Sequence, residues 1–164
     1  MQRIIYHWTA GNYNPNATDL SAYHYVIDGT GKIHEGRHKP EANLNIGSRP
    51  VSTYAAHTGG LNTGSIGIAF CGMFGYRSPA EQGNFPLTQK QCEAGWKLGA
   101  ELCKKYGITP DQQGVRTHYE VGQSGVSGSR GKIDITFLPF EKNLSASQIG
   151  EYIRNKVRWY LQRA

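Results

Sequence analysis

The chain has 164 residues, 38% hydrophobic and 18% charged, which fits one globular domain with a real core and argues against a disordered or fibrous protein. A formal charge of +6 and a pI near 9.3 favour polyanionic partners such as nucleic acid, anionic lipid or bacterial envelope polymers, without choosing among them. Three cysteines, Cys71, Cys92 and Cys103, with no CxxC pair, argue against a disulfide framework or a thiolate zinc knuckle, and no run approaches the ~18 apolar residues of a membrane span.

Met1-Gln2-Arg3 leads directly into Ile4-Ile5-Tyr6, which reads as a first strand over 3–8 with His7 near its end, not as the apolar core of a secretion signal. The expectation is therefore synthesis in a cytoplasm-like compartment, with any route outward supplied by something else. Residues 11–19 are polar and turn-rich and predict a loop. Tyr23–Ile27 alternates as a strand, and Asp28-Gly29-Thr30-Gly31 turns it into Lys32-Ile33-His34 as a hairpin. Residues 36–52 look irregular. The apolar run at 65–70 predicts a buried central strand, and 72–86 a Gly/Pro-rich loop. A helix is expected over 89–106, with Thr88 and Gln91 as a capping box and Gly107 at its C-terminal cap. Cys92, Trp96, Leu102, Cys103 and Tyr106 form its apolar stripe. A short strand is expected over 114–119, ending near His118, then a flexible loop over 122–131. A last helix is expected over 147–162, with Ile149, Ile153, Val157 and Leu161 in register.

The segment 147–164 is also basic. Arg154, Lys156, Arg158 and Arg163 stand against Glu151 beside Trp159 and Tyr160. Such a helix either packs its apolar face on the core or lies on an anionic outer membrane. Strands and helices alternate without internal repeat, so the expected class is α/β: one domain over 1–164, a central mixed β-sheet flanked by helices, monomeric by default. No clustered basic–aromatic motif supports nucleic-acid binding.

Three residues offer metal-site chemistry: His7, His118 and Asp134. Catalytic zinc commonly takes three nitrogen or oxygen ligands and keeps one position open, where bound water falls to a pKa of ~7. Spacing alone is weak support, since there is no HExxH and the chain has six histidines. Tyr23 can equally be a core aromatic and Lys132 a surface lysine. His57 reads as a residue supporting a metal ligand from behind, a substrate contact or a packed residue. His24 reads as a satisfied core histidine, His34 and His38 as solvated, and Cys71 as core.

Several blocks in consistent order then point to a family. Tyr6-His7-Trp8-Thr9, Tyr23-His24-Tyr25-Val26-Ile27-Asp28-Gly29, Ala56-His57-Thr58-Gly59 with Asn62 and Ser65-Ile66-Gly67-Ile68, and Lys132-Ile133-Asp134 resemble the type 2 N-acetylmuramoyl-L-alanine amidases. That superfamily includes amidase-type phage lysozymes and peptidoglycan recognition proteins. The resemblance covers about residues 3–140. It implies one Zn2+ held by His7, His118 and Asp134, with Lys132 stabilising the oxyanion and Tyr23 assisting the hydrolytic water or the oxyanion. It implies peptidoglycan as the substrate, cut between N-acetylmuramic acid and L-alanine, and a phage-type endolysin released to the wall by a separate pore-forming protein. A cytoplasmic enzyme recycling muropeptides and a peptidoglycan-binding module without catalysis remain alternatives. Two departures stand out: the stretch from His7 to Tyr23 is short where many relatives insert a helix, and Ile135-Thr136-Phe137 follows Asp134 where many have Pro-Gly.

Overall fold

The computed structural model describes all of residues 1–164. Its organising element is β1 (Arg3–Trp8), whose last five residues are all buried. Side chains alternate faces along a strand. Ile4, Tyr6 and Trp8 therefore join the main hydrophobic core, while Ile5 and His7 point to the other face. β1 lies between β4 (Ser65–Phe70) and β5 (Val115–Thr117) and is parallel to both, with His7 beside Ala69 and Tyr6 beside Thr117. β2 (Tyr25–Ile27) pairs parallel with β4, and β3 (Ile33–Glu35) closes the edge antiparallel to β2, giving the order β3-β2-β4-β1-β5. Strands buried on both faces read as continuous apolar runs, which is why 3–8 and 65–70 were legible as strands.

The helical layer covers the Ile4/Tyr6/Trp8 face. Helix α2 (Gln89–Tyr106) has the expected capping box: Gln91 N–H donates to Thr88 Oγ1 at 3.1 Å, and Thr88 N–H to Gln91 Oε1 at 2.8 Å. The buried Gln91 amide also donates to the carbonyls of Ile27 and Cys71, so the cap ties the helix to the sheet. Gly107 ends it at φ +67°, a left-handed conformation that costs glycine nothing. The Tyr6 hydroxyl donates to the Gly95 carbonyl at 2.8 Å, and a Cβ at Gly99 would run into that hydroxyl. A side chain there would lift α2 off the sheet.

Helix α4 (Ala146–Leu161) packs beside α2 through the buried Ile149, Ile153 and Val157. Its cations are largely paired: Lys156 with Glu93 at 2.9 Å, Arg158 with Glu151 at 2.9 Å, and the buried Arg154 with Glu120 and Glu151. The apolar face thus packs on the core. No helix is long and apolar enough to cross a membrane.

Three local expectations change. The end of the expected loop over 11–19 enters helix α1 (Ala17–Ala22), because Asn16 and Asp19 make a capping box. The strand expected to 119 stops at Thr117, which caps helix α3 (His118–Gln123). The segment expected to be a flexible loop contains the end of α3 and a 3-10 turn over Ser127–Ser129, in which Ser129 is fully buried. The three cysteines are buried and unpaired, Cys71 among them.

His24 is a satisfied core histidine. Gly67 N–H donates to its Nδ1 at 2.9 Å, and its Nε2 donates to Asn43 Oδ1 at 3.0 Å. Burial pushes its pKa down to about 4 from 6.5. The unfolded chain therefore binds this proton at a higher pH than the folded one. Stability should fall as pH drops from 6.5 toward 4 and level off below, by up to about 3 kcal/mol from this group. Urea midpoints at several pH values test this: the profile of His24→Gln should be shallower, and an unchanged slope would contradict the assignment.

Candidate metal centre

The site lies at the carboxyl ends of the parallel strands β1 and β5, where open α/β sheets usually bind ligands. β1 delivers His7, fully buried. β5 delivers His118 through a tight strand-to-helix junction. There Glu120 N–H donates to Thr117 Oγ1 at 3.1 Å, and Thr117 N–H to Glu120 Oε1 at 3.0 Å. Asp134 arrives after a turn at Gly131, with φ +78°. Its carbonyl accepts the Tyr119 N–H at 2.6 Å, so the segment carrying Asp134 is fastened to the first turn of α3.

The three side chains converge. His7 Nδ1 is 3.0 Å from Asp134 Oδ2 and 3.1 Å from His118 Nδ1, and His118 Nδ1 is 3.4 Å from Asp134 Oδ2. Zinc held tetrahedrally at bond lengths of ~2.0–2.2 Å places its ligand atoms roughly 3.3–3.6 Å apart. Two imidazoles and a carboxylate at 3.0–3.4 Å therefore fit that ion with only small adjustment. Their protonation also suits it. Burial alone would raise the Asp134 pKa, but the adjoining His118 and His7 rings outweigh it and hold the carboxyl well below the usual carboxylate range. Burial lowers the His7 pKa below the ordinary imidazole value, against the pull of Asp134. At neutral pH the site thus presents an anionic carboxylate and a neutral His7, the forms that bind metal.

His118 and Asp134 open onto a cavity of about 420 Å3 that Trp8, Tyr23, His57 and Lys132 also line, while His7 is fully buried beside them. The Tyr23 ring centre is 5.1 Å from that of His7. Burial, reinforced by the Asp134 charge, raises its pKa, so its hydroxyl stays protonated. Lys132 is solvent-exposed on the rim, two residues before Asp134. His57 is almost wholly buried, at 6% exposure, with its Nε2 3.1 Å from the Ser65 carbonyl and its Nδ1 3.1 Å from His7 Nε2. Five of the six expected site residues thus line one cavity, and the sixth, His7, is buried against His118 and Asp134. Two further neighbours join them: Thr58, which lies in the Ala56–Gly59 block but has no role assigned from sequence and whose Oγ1 is 3.3 Å from His7 Nε2, and Ser129, whose Oγ is 3.1 Å from His118 Nε2. Ser129 lies in no motif, and its one signal is the glycine-rich stretch around it.

A buried His/His/Asp group that could hold a metal ion, beside the strand ends of a mixed sheet, defines the class. Residues 1–134 match the Amidase_2 family, described as N-acetylmuramoyl-L-alanine amidase, and the chain belongs to that family. It is similar to peptidoglycan-recognition protein SD of Drosophila melanogaster, with 40% identity over 84 residues. That stretch covers 46% of this chain and only 39% of the fly protein. Among solved structures, it is similar to an endolysin, the N-acetylmuramoyl-L-alanine amidase LysCS from Clostridium intestinale URNW. The identity there is 23% and the TM-score 0.55, over 96% of this chain and 83% of that one. The hydrolase AmiA of Staphylococcus aureus shares the fold at 18% identity and a TM-score of 0.57, over 99% of this chain and 76% of that one.

Proposed function

We propose that the protein is a zinc-dependent amidase that hydrolyses the bond between N-acetylmuramic acid and L-alanine in peptidoglycan, and that it acts as an endolysin. The observation that carries this reading is the convergent set of His7, His118 and Asp134, the last two lining an open cavity, in a chain of the amidase family. A recognition module without catalysis has no need of a full ligand set with an open side.

Zinc bound by these three residues would supply a water activated near neutral pH and a Lewis acid for the amide carbonyl. The protein's own groups do the rest. Lys132, on the rim, brings a cation to the oxygen on which negative charge develops. Tyr23 offers a neutral hydroxyl that orients the water or donates to that oxygen. Trp8 and the buried ring of His57 wall the cavity. Lys132→Met should lower kcat by about 10²–10³ with little change in KM, as for other lost oxyanion contacts. Its exposure should keep the stability change within about 0.5 kcal/mol. Steady-state kinetics on a soluble muropeptide read both effects.

The endolysin role implies action on the polymer after release from the host cytoplasm by a separate pore-forming protein. Membrane contact through α4 is left out of the proposal, because Arg154, Lys156 and Arg158 are paired with carboxylates. Purified Gram-negative sacculi and monomeric anhydro-muropeptide, compared at equal bond concentration, test the reading. New L-alanine amino termini from sacculi support the endolysin. Cleavage of the small muropeptide alone supports a recycling amidase. Binding to sacculi without release supports a recognition module.

A further inference from the structure

Two backbone carbonyls stand behind the metal centre, each linked to a ligand histidine by one side chain. Ser129 Oγ is 2.8 Å from the Gly59 carbonyl and 3.1 Å from His118 Nε2. A carbonyl can only accept, so the single hydroxyl proton of Ser129 goes to Gly59. What Ser129 then shows His118 is a lone pair, so His118 Nε2 must carry the ring proton. A neutral imidazole has one N–H, which leaves Nδ1 bare, and Nδ1 is the atom facing Asp134 and His7.

The same logic runs through His57. Its Nε2 meets the Ser65 carbonyl at 3.1 Å and so carries the proton. Its Nδ1 is then an acceptor, placed 3.1 Å from His7 Nε2 and 2.7 Å from Thr58 Oγ1. Thr58 Oγ1 also reaches His7 Nε2 at 3.3 Å. A proton on His7 Nε2 satisfies this triangle. A bare Nε2 would set two lone pairs against each other. His7 Nδ1 is thereby left free toward the centre. Without these links the nearby Asp134 carboxylate would draw the ring protons onto both Nδ1 atoms and block the metal-facing positions.

The backbone is shaped to hold one of these links. A Cβ on Gly59 would lie 2.5 Å from the Gly128 carbonyl oxygen, and one on Gly128 would lie 2.7 Å from the Gly59 carbonyl carbon. Only two glycines let the segments approach closely enough for Ser129 to reach Gly59. This explains why a Gly/Ser-rich stretch buries Ser129 completely.

We propose that Ser129 and His57 are positioning residues, which fix His118 and His7 in the tautomer that presents Nδ1 to the metal. The proposal rests on the metal-centre reading above, and among the roles left open for His57 it selects the one behind His7. Partners of this kind typically contribute ten- to hundredfold in metal affinity.

The test uses the full chain and zinc itself. Ser129→Ala and His57→Phe should each weaken zinc binding ten- to hundredfold in a chelator competition, with a folded near-UV spectrum. His57→Gln, which keeps an acceptor toward His7 and a donor toward Ser65, should recover most of the loss. Long-range nitrogen–proton NMR of the zinc-free protein should show His118 as the Nε2–H tautomer in the parent and shifted toward Nδ1–H in Ser129→Ala. Affinity within twofold of the parent in Ser129→Ala together with an unchanged tautomer would overturn the proposal. If the parent binds no zinc, the metal-centre reading fails separately, and the tautomer shift in zinc-free Ser129→Ala still decides this one.

Discussion

His118→Ala is expected to reduce release of L-alanine amino termini from sacculi to background and to weaken zinc binding by more than the ten- to hundredfold of an outer partner. The fold should survive. His118 sits at the cavity edge, and its loss leaves the Ser129 hydroxyl still donating to Gly59 at 2.8 Å. No buried donor is orphaned, so the cost to stability should stay within about 1–3 kcal/mol. His7→Ala would be a poorer probe. His7 is fully buried and engages Asp134, His57 and Thr58 at once, so lost activity there would be confounded with lost structure. Amidase turnover by His118→Ala above about one hundredth of the parent rate would contradict the ligand assignment.

Arg154→Ala is expected to destabilise the protein by about 3 kcal/mol, although nothing near Arg154 touches the cavity. Its side chain is 4% exposed and forks onto Glu120, with Nη1 to Oε1 and Nη2 to Oε2 both at 3.0 Å. A third bond runs from Nη1 to the Val115 carbonyl at 3.0 Å, and a fourth from Nε to Glu151 at 2.8 Å. Glu120 in turn accepts the Thr117 N–H and so fixes the junction that places His118. Removing one partner of a buried pair costs about 3–5 kcal/mol, because the other charge is left without compensation. The partial exposure of Glu120 puts this case at the lower end. In a domain of this size that corresponds to a fall of roughly 10 °C in Tm. Arg154→Lys should recover only part, since lysine cannot make the paired contact. Arg158→Ala removes an exposed pair and should change stability by less than about 0.5 kcal/mol. Scanning calorimetry of the three variants checks the order. Equal Tm for Arg154→Ala and Arg158→Ala would contradict it.

Arg154 also shows where sequence reading stops. In the linear chain it is one of four cations on a basic helix. Only the approach of α4 to α3 makes it a buried strut, an approach so close that a Cβ at Gly150 would meet the Glu120 carboxylate. The elements with strong local signals were legible: β1 and β4 from unbroken apolar runs, α2 from its capping box and its C-terminal glycine. Helix α1 was hidden because six residues give too little periodicity, although Asn16 and Asp19 do spell a capping box. Helix α3 was hidden likewise, with Thr117 and Glu120 as its unread signal. The residues of the metal centre were found through family blocks, because spacings of 111 and 127 residues between the partners carry no local pattern. Ser129 acts through the His118 ring, and its place follows from the Gly59 carbonyl and the close approach of Gly59 and Gly128, which sequence does not display.

The central claim is that this chain hydrolyses the muramoyl–alanine bond with a metal held by His7, His118 and Asp134. The most direct measurement is the appearance of L-alanine amino termini from purified sacculi before chelation, after chelation and after zinc is restored. The account predicts release, its loss with the chelator, and its recovery with about one zinc per chain. Undiminished release in the chelated, verifiably zinc-free protein would contradict it.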